Sequence, residues 1–179
     1  MVEVCKNIYV GDDNDYYKLI NKQDWCVLHC CKHPFHCQFV GYSGNLPIDH
    51  IDYAFKRNGN EMALNMVDLN FFNEEYLDYN RNMIEQAFIF LDEHYYNGKK
   101  LLIHCNQGQS RSPSLAMLYM ARVGELSVDF ETALTNFKSI YPAYNPKKNI
   151  FETVKRVWSN FTNSLEKGGD KNGKTSSRS

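Results

Sequence analysis

The sequence lacks an excess of charge of either sign, a long apolar run and an export signal. Twenty basic and 21 acidic side chains leave a formal net charge of −1, so binding to nucleic acid or to a membrane driven mainly by charge is not expected. No apolar run, such as that at residues 87–91, approaches the length of a membrane span. The first residues have neither the basic start nor the apolar core of a signal peptide. We therefore expect a cytoplasmic or nucleocytoplasmic protein that is not secreted.

The sequence also lacks internal repeats and low-complexity blocks. Its 179 residues, 43% hydrophobic and 14% aromatic, suffice for one domain with its own core. From Glu166 onward there is no apolar residue, so nothing there can be buried. We predict a domain at residues 1–165, expected to be a monomer, followed by a disordered polar tail at 166–179.

A disulfide framework is not expected, because six cysteines in a chain without an export signal are better interpreted as reduced thiols. Five of the six lie within the first 37 residues, and Cys105 stands alone. Histidines and cysteines crowd residues 29–37, but no CxxC pair occurs among them. We therefore predict no metal site and no cofactor.

Strand-like and helix-like segments alternate along the chain. Short strands are predicted at 7–11, 25–30, 62–67 and 101–103. Helices are predicted at 12–24, from 77 to about 96, and at 112–122, 130–140 and 150–161. Residues 31–61 are assigned only as a loop with one helical turn. This alternation indicates an α/β fold with a small, mostly parallel central sheet flanked by helices.

The chemistry-bearing motif is HCNQGQSRS at residues 104–112, between a buried strand and a helix. A tight loop that enters a helix directs backbone N–H groups at one point, which suits a phosphate dianion. The same field should stabilise the Cys105 thiolate and lower its pKa below the free value of about 8.5. Gly108 gives the loop conformational freedom, and Arg111 can return over it to fork two N–H donors onto a phosphate. This arrangement suits nucleophilic attack by sulfur on phosphorus.

The segment HCNQGQSRSPSLAMLYM resembles the signature of the cysteine-dependent protein tyrosine phosphatase superfamily, and its SRSP continuation resembles the dual-specificity branch. The resemblance implies a three-layer protein-tyrosine-phosphatase-like fold and a phosphocysteine intermediate formed on Cys105. It also implies that Arg111 binds phosphate and stabilises the transition state. Ser112 would assist hydrolysis of the intermediate, and His104 would orient the loop and help to lower the thiol pKa. The phosphate-binding loop would comprise Asn106, Gln107, Gly108, Gln109, Ser110 and Arg111.

The reaction also needs a group that protonates the leaving oxygen and later activates water. The family uses an aspartate in the loop after the preceding strand, and Asp68 occupies that place. Glu74 and Asp78 are closer to Cys105 in sequence and stay open as alternatives. We predict that Asp68 is the general acid.

The substrate is expected to be a phosphorylated protein or peptide. The loop carries only neutral residues at 106, 107 and 109, which disfavours highly anionic inositol phosphates. No segment resembles the recognition loop of tyrosine-only enzymes, so phosphoserine and phosphothreonine are expected beside phosphotyrosine. Lys32 and His36 follow a strand expected to run parallel to the catalytic one, so they could line the substrate rim. The alternatives are a phosphatase for RNA 5′ ends or small phosphates, and a catalytically weak phosphate-binding module.

Overall fold

A computed structural model describes residues 1–162. The predicted tail at 166–179 therefore lies outside the described residues. Within them, six strands form one sheet in the order β1-β2-β6-β3-β5-β4. The strands are Val2–Cys5 (β1), Ile8–Gly11 (β2), Trp25–His29 (β3), Phe55–Asn58 (β4), Glu61–Leu64 (β5) and Lys100–His104 (β6).

Helices pack against this sheet and alternate with its strands. They are Asp13–Tyr17 (α1), Cys37–Val40 (α2), Leu77–Tyr95 (α3), Arg111–Arg122 (α4), Phe130–Ile140 (α5) and Lys148–Thr162 (α6), with further helical turns at Lys32–His36 and Glu74–Tyr76. The mixed α/β architecture with helices around a central sheet confirms the predicted fold class. Among the described residues, no helix combines the length and apolar character needed to cross a bilayer.

The four inner strands are parallel, whereas β1 and β4 pair antiparallel at the two edges. The register places Gly11, His104, His29 and Ala63 in one row across β2, β6, β3 and β5. The row lies at or next to the carboxyl end of each strand, so the loops that follow start from nearly the same level. In open parallel sheets, ligands bind beside the carboxyl ends of the strands.

The central helix α4 forms the middle of the core, as its apolar sequence predicts. Ten of its residues, Ser112 to Ala121, are buried. One face of α3 packs onto the same core through Ile84, Phe88 and Leu91, none more than 1% exposed. Burial of such side chains is the main favourable contribution to stability, at roughly 25 cal/mol per Å² of apolar surface.

Three predictions for the first half of the chain need correction. The helix predicted at 12–24 ends at Tyr17, after a capping box on Asp12, because the rest of the segment forms turns. The strand predicted at 62–67 runs from Glu61 to Leu64 and leaves the sheet earlier. Residues 31–61 hold the helical turns at 32–40 and an edge strand, where only a loop with one helical turn was predicted.

Candidate active site

The loop between β6 and α4 lies at the carboxyl edge of the sheet. Cys105 follows the last residue of β6 and is 2% exposed, and Arg111 is the first residue of α4. The strand therefore fixes the cysteine, and the helix fixes the other end of the loop. The positive end of the α4 dipole points at the space that the loop encloses.

The peptide groups of this loop are oriented so that carbonyls point outward. The Gly108 carbonyl accepts a hydrogen bond from Tyr141 Oη at 2.8 Å, and the Gln109 carbonyl accepts one from the Asn145 N–H at 2.8 Å. The His104 carbonyl accepts one from the Cys30 N–H at 2.8 Å. Among residues 1–162, no group accepts a hydrogen bond from the backbone N–H groups of 106–110. These donors form a nest that suits an anion.

Gly108 is required by the backbone of the loop. Its φ of +66° lies in the left-handed region that favours glycine. A Cβ atom here would lie 3.0 Å from the carbonyl oxygen of Gly11 and 3.2 Å from Tyr141 Oη. A side chain at this position would therefore meet both a disfavoured backbone conformation and an unusually tight contact with β2.

The Arg111 guanidinium is held over the loop by two acceptors. Nη2 donates to Asn106 Oδ1 at 2.6 Å, and Nη1 donates to the Met66 carbonyl at 3.3 Å. Its Nε is buried and meets no hydrogen-bond partner among the described residues. A buried donor without an acceptor is costly, so this geometry favours an anion beside the guanidinium.

Ser112 contacts the sulfur of Cys105 directly. The side chain is fully buried, and its Oγ lies 3.2 Å from Cys105 Sγ and 3.5 Å from the Gly11 carbonyl. The hydroxyl can therefore donate to the sulfur when negative charge develops there. The structure brings together the predicted cysteine, arginine and serine.

Asp68 lies at the same site, although it is distant in sequence. Ser110 Oγ donates a hydrogen bond to Asp68 Oδ1 at 2.7 Å, and Arg111 Nε lies 3.9 Å from Asp68 Oδ2. Ser110 Oγ also accepts a bond from the Lys147 N–H at 2.9 Å. One serine thus joins the phosphate-binding loop to the loop of the predicted general acid.

The two alternative acids lie elsewhere in ion pairs of their own. The side chain of Glu74 is 73% exposed and pairs with Arg156, and that of Asp78 is 85% exposed and pairs with Arg81. Neither carboxylate contacts the loop at 105–111. The geometry therefore favours Asp68 over both alternatives.

A buried hydrogen-bonded chain lies beneath the loop. His104 Nε2 lies 2.6 Å from His29 Nδ1, and His29 Nε2 lies 3.2 Å from Glu61 Oε2, which also accepts a bond from Tyr16 Oη at 3.2 Å. The Tyr16 ring stacks on the His104 imidazole with centroids 5.2 Å apart. Through this chain, His104 is anchored to β3 and β5, which fixes the start of the loop.

The charges of this chain follow from burial and hydrogen bonding. Burial holds the pKa of His104 well below its usual value and lowers the pKa of His29. Hydrogen bonding to His29 lowers the pKa of Glu61, so the carboxylate is ionised and only accepts. His29 therefore donates from Nε2 and accepts at Nδ1, and His104 donates from Nε2. Glu61 thus sets the tautomers of both histidines.

The two residues predicted at the substrate rim, Lys32 and His36, lie in different environments. Lys32 lies beside the site, because its backbone N–H donates to the same Met66 carbonyl that accepts from Arg111. His36 is fully buried, with one ring nitrogen 3.0 Å from Tyr42 Oη and the other 2.9 Å from the Asp52 carbonyl. The rim prediction is wrong for His36, because its helical turn directs the imidazole inward.

The loop that carries Asp68 is held by a residue that was not predicted. The Asn149 side chain donates to the Val67 carbonyl at 2.9 Å and accepts from the Leu69 N–H at 2.7 Å. It therefore bonds the backbone on both sides of Asp68. Asn149 and Tyr141 come to the site through tertiary packing. Asn149 lies within the last helix and Tyr141 precedes it, and this location is the only signal in the sequence that could have pointed to them.

Comparisons with known proteins agree with this geometry. The family model described as "Dual specificity phosphatase, catalytic domain" matches residues 45–157, more than half of the chain. The Plasmodium falciparum protein "Dual specificity protein phosphatase YVH1" is 30% identical over 93 residues, which are 52% of this chain. The match covers only 15% of the length of that relative.

Solved structures show the same fold at low sequence identity. The structure of DUSP15 is 17% identical with a TM-score of 0.61, and the match covers 96% of this chain and 98% of that one. The PTP-2 phosphatase of Cydia pomonella is 22% identical with a TM-score of 0.55, covering 87% of this chain and 88% of that one. From the family match and the site geometry, this chain belongs to the dual specificity phosphatase catalytic domain family.

Proposed function

We propose that this chain hydrolyses phosphomonoesters on proteins through a phosphocysteine intermediate. One observation carries the proposal: loop N–H groups without acceptors among residues 1–162 and the Arg111 guanidinium lie around Cys105, with Ser112 Oγ 3.2 Å from the sulfur. Donors arranged in this way stabilise charge on the phosphoryl oxygens without reorganising during the reaction. Phosphotyrosine, phosphoserine and phosphothreonine are the proposed substrates.

In the first step, Cys105 Sγ attacks phosphorus and the bond from phosphorus to the ester oxygen breaks. The leaving oxygen takes a proton from Asp68, which the Ser110 hydrogen bond holds beside the loop at 2.7 Å. Arg111 and the loop N–H groups bind the three equatorial oxygens. The products of this step are the dephosphorylated side chain and phosphocysteine.

In the second step, water attacks phosphorus and the S–P bond breaks. Asp68, now ionised, accepts a proton from the water as general base. The sulfur leaves as a thiolate, and Ser112 Oγ donates a hydrogen bond to it across the 3.2 Å contact. Inorganic phosphate and the starting enzyme are released.

The state of the cysteines bears on the cellular location. All six cysteines lie in the described residues and are unpaired, which fits a reducing compartment. We propose that the protein acts in the cytoplasm or nucleus as a monomer, on phosphorylated proteins or peptides.

The test is hydrolysis of an aryl phosphate by wild type, Cys105→Ser and the matched control Cys5→Ser, with chelator present and reductant varied. We expect turnover that survives the chelator, needs reductant, and disappears only in Cys105→Ser. Acid quenching with labelled substrate should trap one phosphoryl group per chain on wild type and none on Cys105→Ser. Equal turnover by all three proteins would contradict the thiolate mechanism.

Substrate class is tested in parallel with phosphopeptides, an RNA 5′-triphosphate and small phosphate esters at equal concentration. The proposal expects the highest kcat/KM on phosphopeptides. Faster turnover of the RNA 5′-triphosphate would instead support a phosphatase for RNA 5′ ends. Phosphopeptide binding without any turnover by clean, reduced wild type would replace it with a binding module.

A further inference from the structure

A cavity of about 400 Å³ lies behind the loop that carries Asp68. We call it the flanking cavity. Its walls come from the Asp68 loop, the start of α3 and the first turns of α6, including Met66, Val67, Tyr76, Tyr79, Ile150 and Val154. This volume falls in the range of roughly 300–1,000 Å³ that is usual for ligand sites.

The flanking cavity shares a wall with the phosphate-binding loop. Lys32 lines the cavity, and its N–H donates to the Met66 carbonyl at 3.0 Å. The same carbonyl accepts from Arg111 at 3.3 Å, and the neighbouring His33 carbonyl accepts from Asn106 Nδ2 at 2.9 Å. A molecule with its phosphate over Cys105 therefore has the cavity directly beside it.

Exposed apolar side chains surround the cavity. Phe71 is 61% exposed, Tyr76 is 53% exposed and Val67 is 49% exposed, and all three line it. Large apolar side chains clustered in solvent mark a binding surface more often than a structural one. Their position at the edge of the cavity indicates that an apolar group enters there.

The polar part of the lining selects the kind of ligand. Among residues 1–162, no carboxylate lines the cavity, and Lys32 is its one cation. The Tyr79 hydroxyl is buried without a hydrogen-bond partner among the described residues, and amide side chains such as Asn73 and Asn80 lie nearby. Such walls suit an apolar side chain attached to a peptide backbone, whose carbonyl and N–H groups the hydroxyl and amides can bind.

We propose that the flanking cavity binds a large apolar side chain of a peptide substrate, located a few residues from the phosphorylated one. The proposal rests on the proposed protein phosphatase function and names its sequence preference. Lys32 stands between the two sites, so acidic groups of the same peptide are favoured there. The cavity thus discriminates among phosphopeptides that the phosphate loop alone would treat alike.

The experiment compares phosphopeptides that differ only by Phe or Ala at each of the three positions on either side of the phosphorylated residue. We expect wild type to prefer Phe by about tenfold in kcat/KM at one position, because binding in the cavity removes the apolar surface of that side chain from water. Asn80→Phe fills the cavity, and Phe71→Ala removes an exposed part of its edge. Both variants should reduce the preference to less than about threefold while leaving aryl phosphate turnover unchanged.

Tyr96→Ala is the matched control, because Tyr96 is 73% exposed after the other end of α3. It should keep the full preference. Equal turnover of Phe and Ala peptides by wild type at every position would overturn the cavity assignment and leave the proposed function standing. Loss of aryl phosphate turnover equal to the loss with peptides, in both cavity variants, would also overturn it, because the cavity would then only support the Asp68 loop. Absence of Cys105-dependent turnover in wild type would reject the proposed function itself.

Discussion

At the scale of single residues, the proposed general acid Asp68 lies beside the phosphate-binding loop. Its carboxylate accepts from Ser110 Oγ at 2.7 Å, next to the Arg111 guanidinium. Poor leaving groups need a proton in the transition state, whereas good ones leave without it. An acid in this place therefore affects alkyl phosphates more than activated aryl phosphates.

Asp68→Asn should lower kcat on phosphoserine peptides by about 10²–10³-fold, because general acid catalysis contributes an effect of this size. On an aryl phosphate with a good leaving group the loss should be much smaller. Steady-state kinetics on both substrates measure the difference. Glu74→Gln and Asp78→Asn are the controls, and a loss in either that matches Asp68→Asn would reassign the acid.

Ser112→Ala should slow the second chemical step selectively. Hydrogen bonds to charged groups contribute about 1.5–3 kcal/mol, so hydrolysis of phosphocysteine should slow by about 10–100-fold. Rapid mixing with an aryl phosphate should then show a burst of phenol close to one per chain. Ser114 lies on the same helix as Ser112, and Ser114→Ala removes a buried hydrogen bond to Tyr144 Oη. This variant should show no such burst. A Ser112→Ala enzyme without a burst would argue against this role.

At the scale of structural elements, helix α6 holds the Asp68 loop through its second residue. The Asn149 side chain bonds the backbone of Val67 and Leu69, and its own N–H donates to the Leu69 carbonyl at 3.2 Å. The proposed general acid is thus positioned by a helix that begins more than 30 residues after the phosphate loop. Packing of α6 and chemistry at Asp68 are thereby coupled.

Asn149→Ala should lower kcat on phosphoserine peptides by about tenfold with little change in KM, because the loop loses two of its bonds while the phosphate site keeps its donors. In the Asp68→Asn background the same substitution should add almost nothing, since both changes act on one group. Asn145→Ala is the control, because Asn145 bonds the Gln109 carbonyl of the phosphate-binding loop through its backbone N–H, which the substitution keeps. Full additivity in the double variant would show that Asn149 does not act through Asp68.

The elements that the sequence predicts well are those with an uninterrupted apolar pattern. Strands β2, β3 and β6 and helices α3 to α6 were predicted nearly at their observed positions. The edge strands β1 and β4 were not predicted, because half-exposed segments such as FKRN carry no apolar run. Their pairing depends on neighbours that are distant in sequence.

The site residues that the sequence predicts are likewise those that lie close together along the chain. Cys105, Arg111 and Ser112 were predicted because one short loop carries them all. Glu61 and Asn149 were not, since only tertiary packing brings them to that loop. His36 was predicted at the rim and is buried, because sequence shows that a side chain is near a strand end but not which way a helical turn directs it.

At the scale of the whole molecule, buried histidines set how stability depends on pH. Burial lowers the pKa of His29, His36 and His104 in the folded protein. Between the ordinary value near 6.5 and each lowered value, the unfolded chain binds protons that the folded one does not. The contribution of these neutral histidines to the free energy of unfolding is therefore complete above about pH 6.5 and decreases as the pH falls below that value.

The free energy of unfolding should consequently decrease by up to about 1.4 kcal/mol per pH unit for each such histidine below pH 6.5. Urea titrations at pH 7.5, 6.5 and 5.5 measure this slope. His36→Gln should flatten it, because the substitution removes one of these buried imidazoles. A free energy of unfolding that is constant or rises from pH 6.5 to 5.5 would contradict the assignment of neutral buried histidines.

The row of Gly11, His104, His29 and Ala63 across four strands has a consequence for changes in chain length. One residue added to or removed from any of these strands shifts the loop after it by about 3.3 Å, and a displacement near 1 Å can already cost about 10²-fold in rate. At the opposite edge of the sheet, a turn such as residues 97–99 can lengthen without moving this row. Insertions should therefore be tolerated in turns at the amino ends of the parallel strands and should abolish activity within the strands or at their carboxyl ends. Variation in chain length is thus restricted to one end of the sheet.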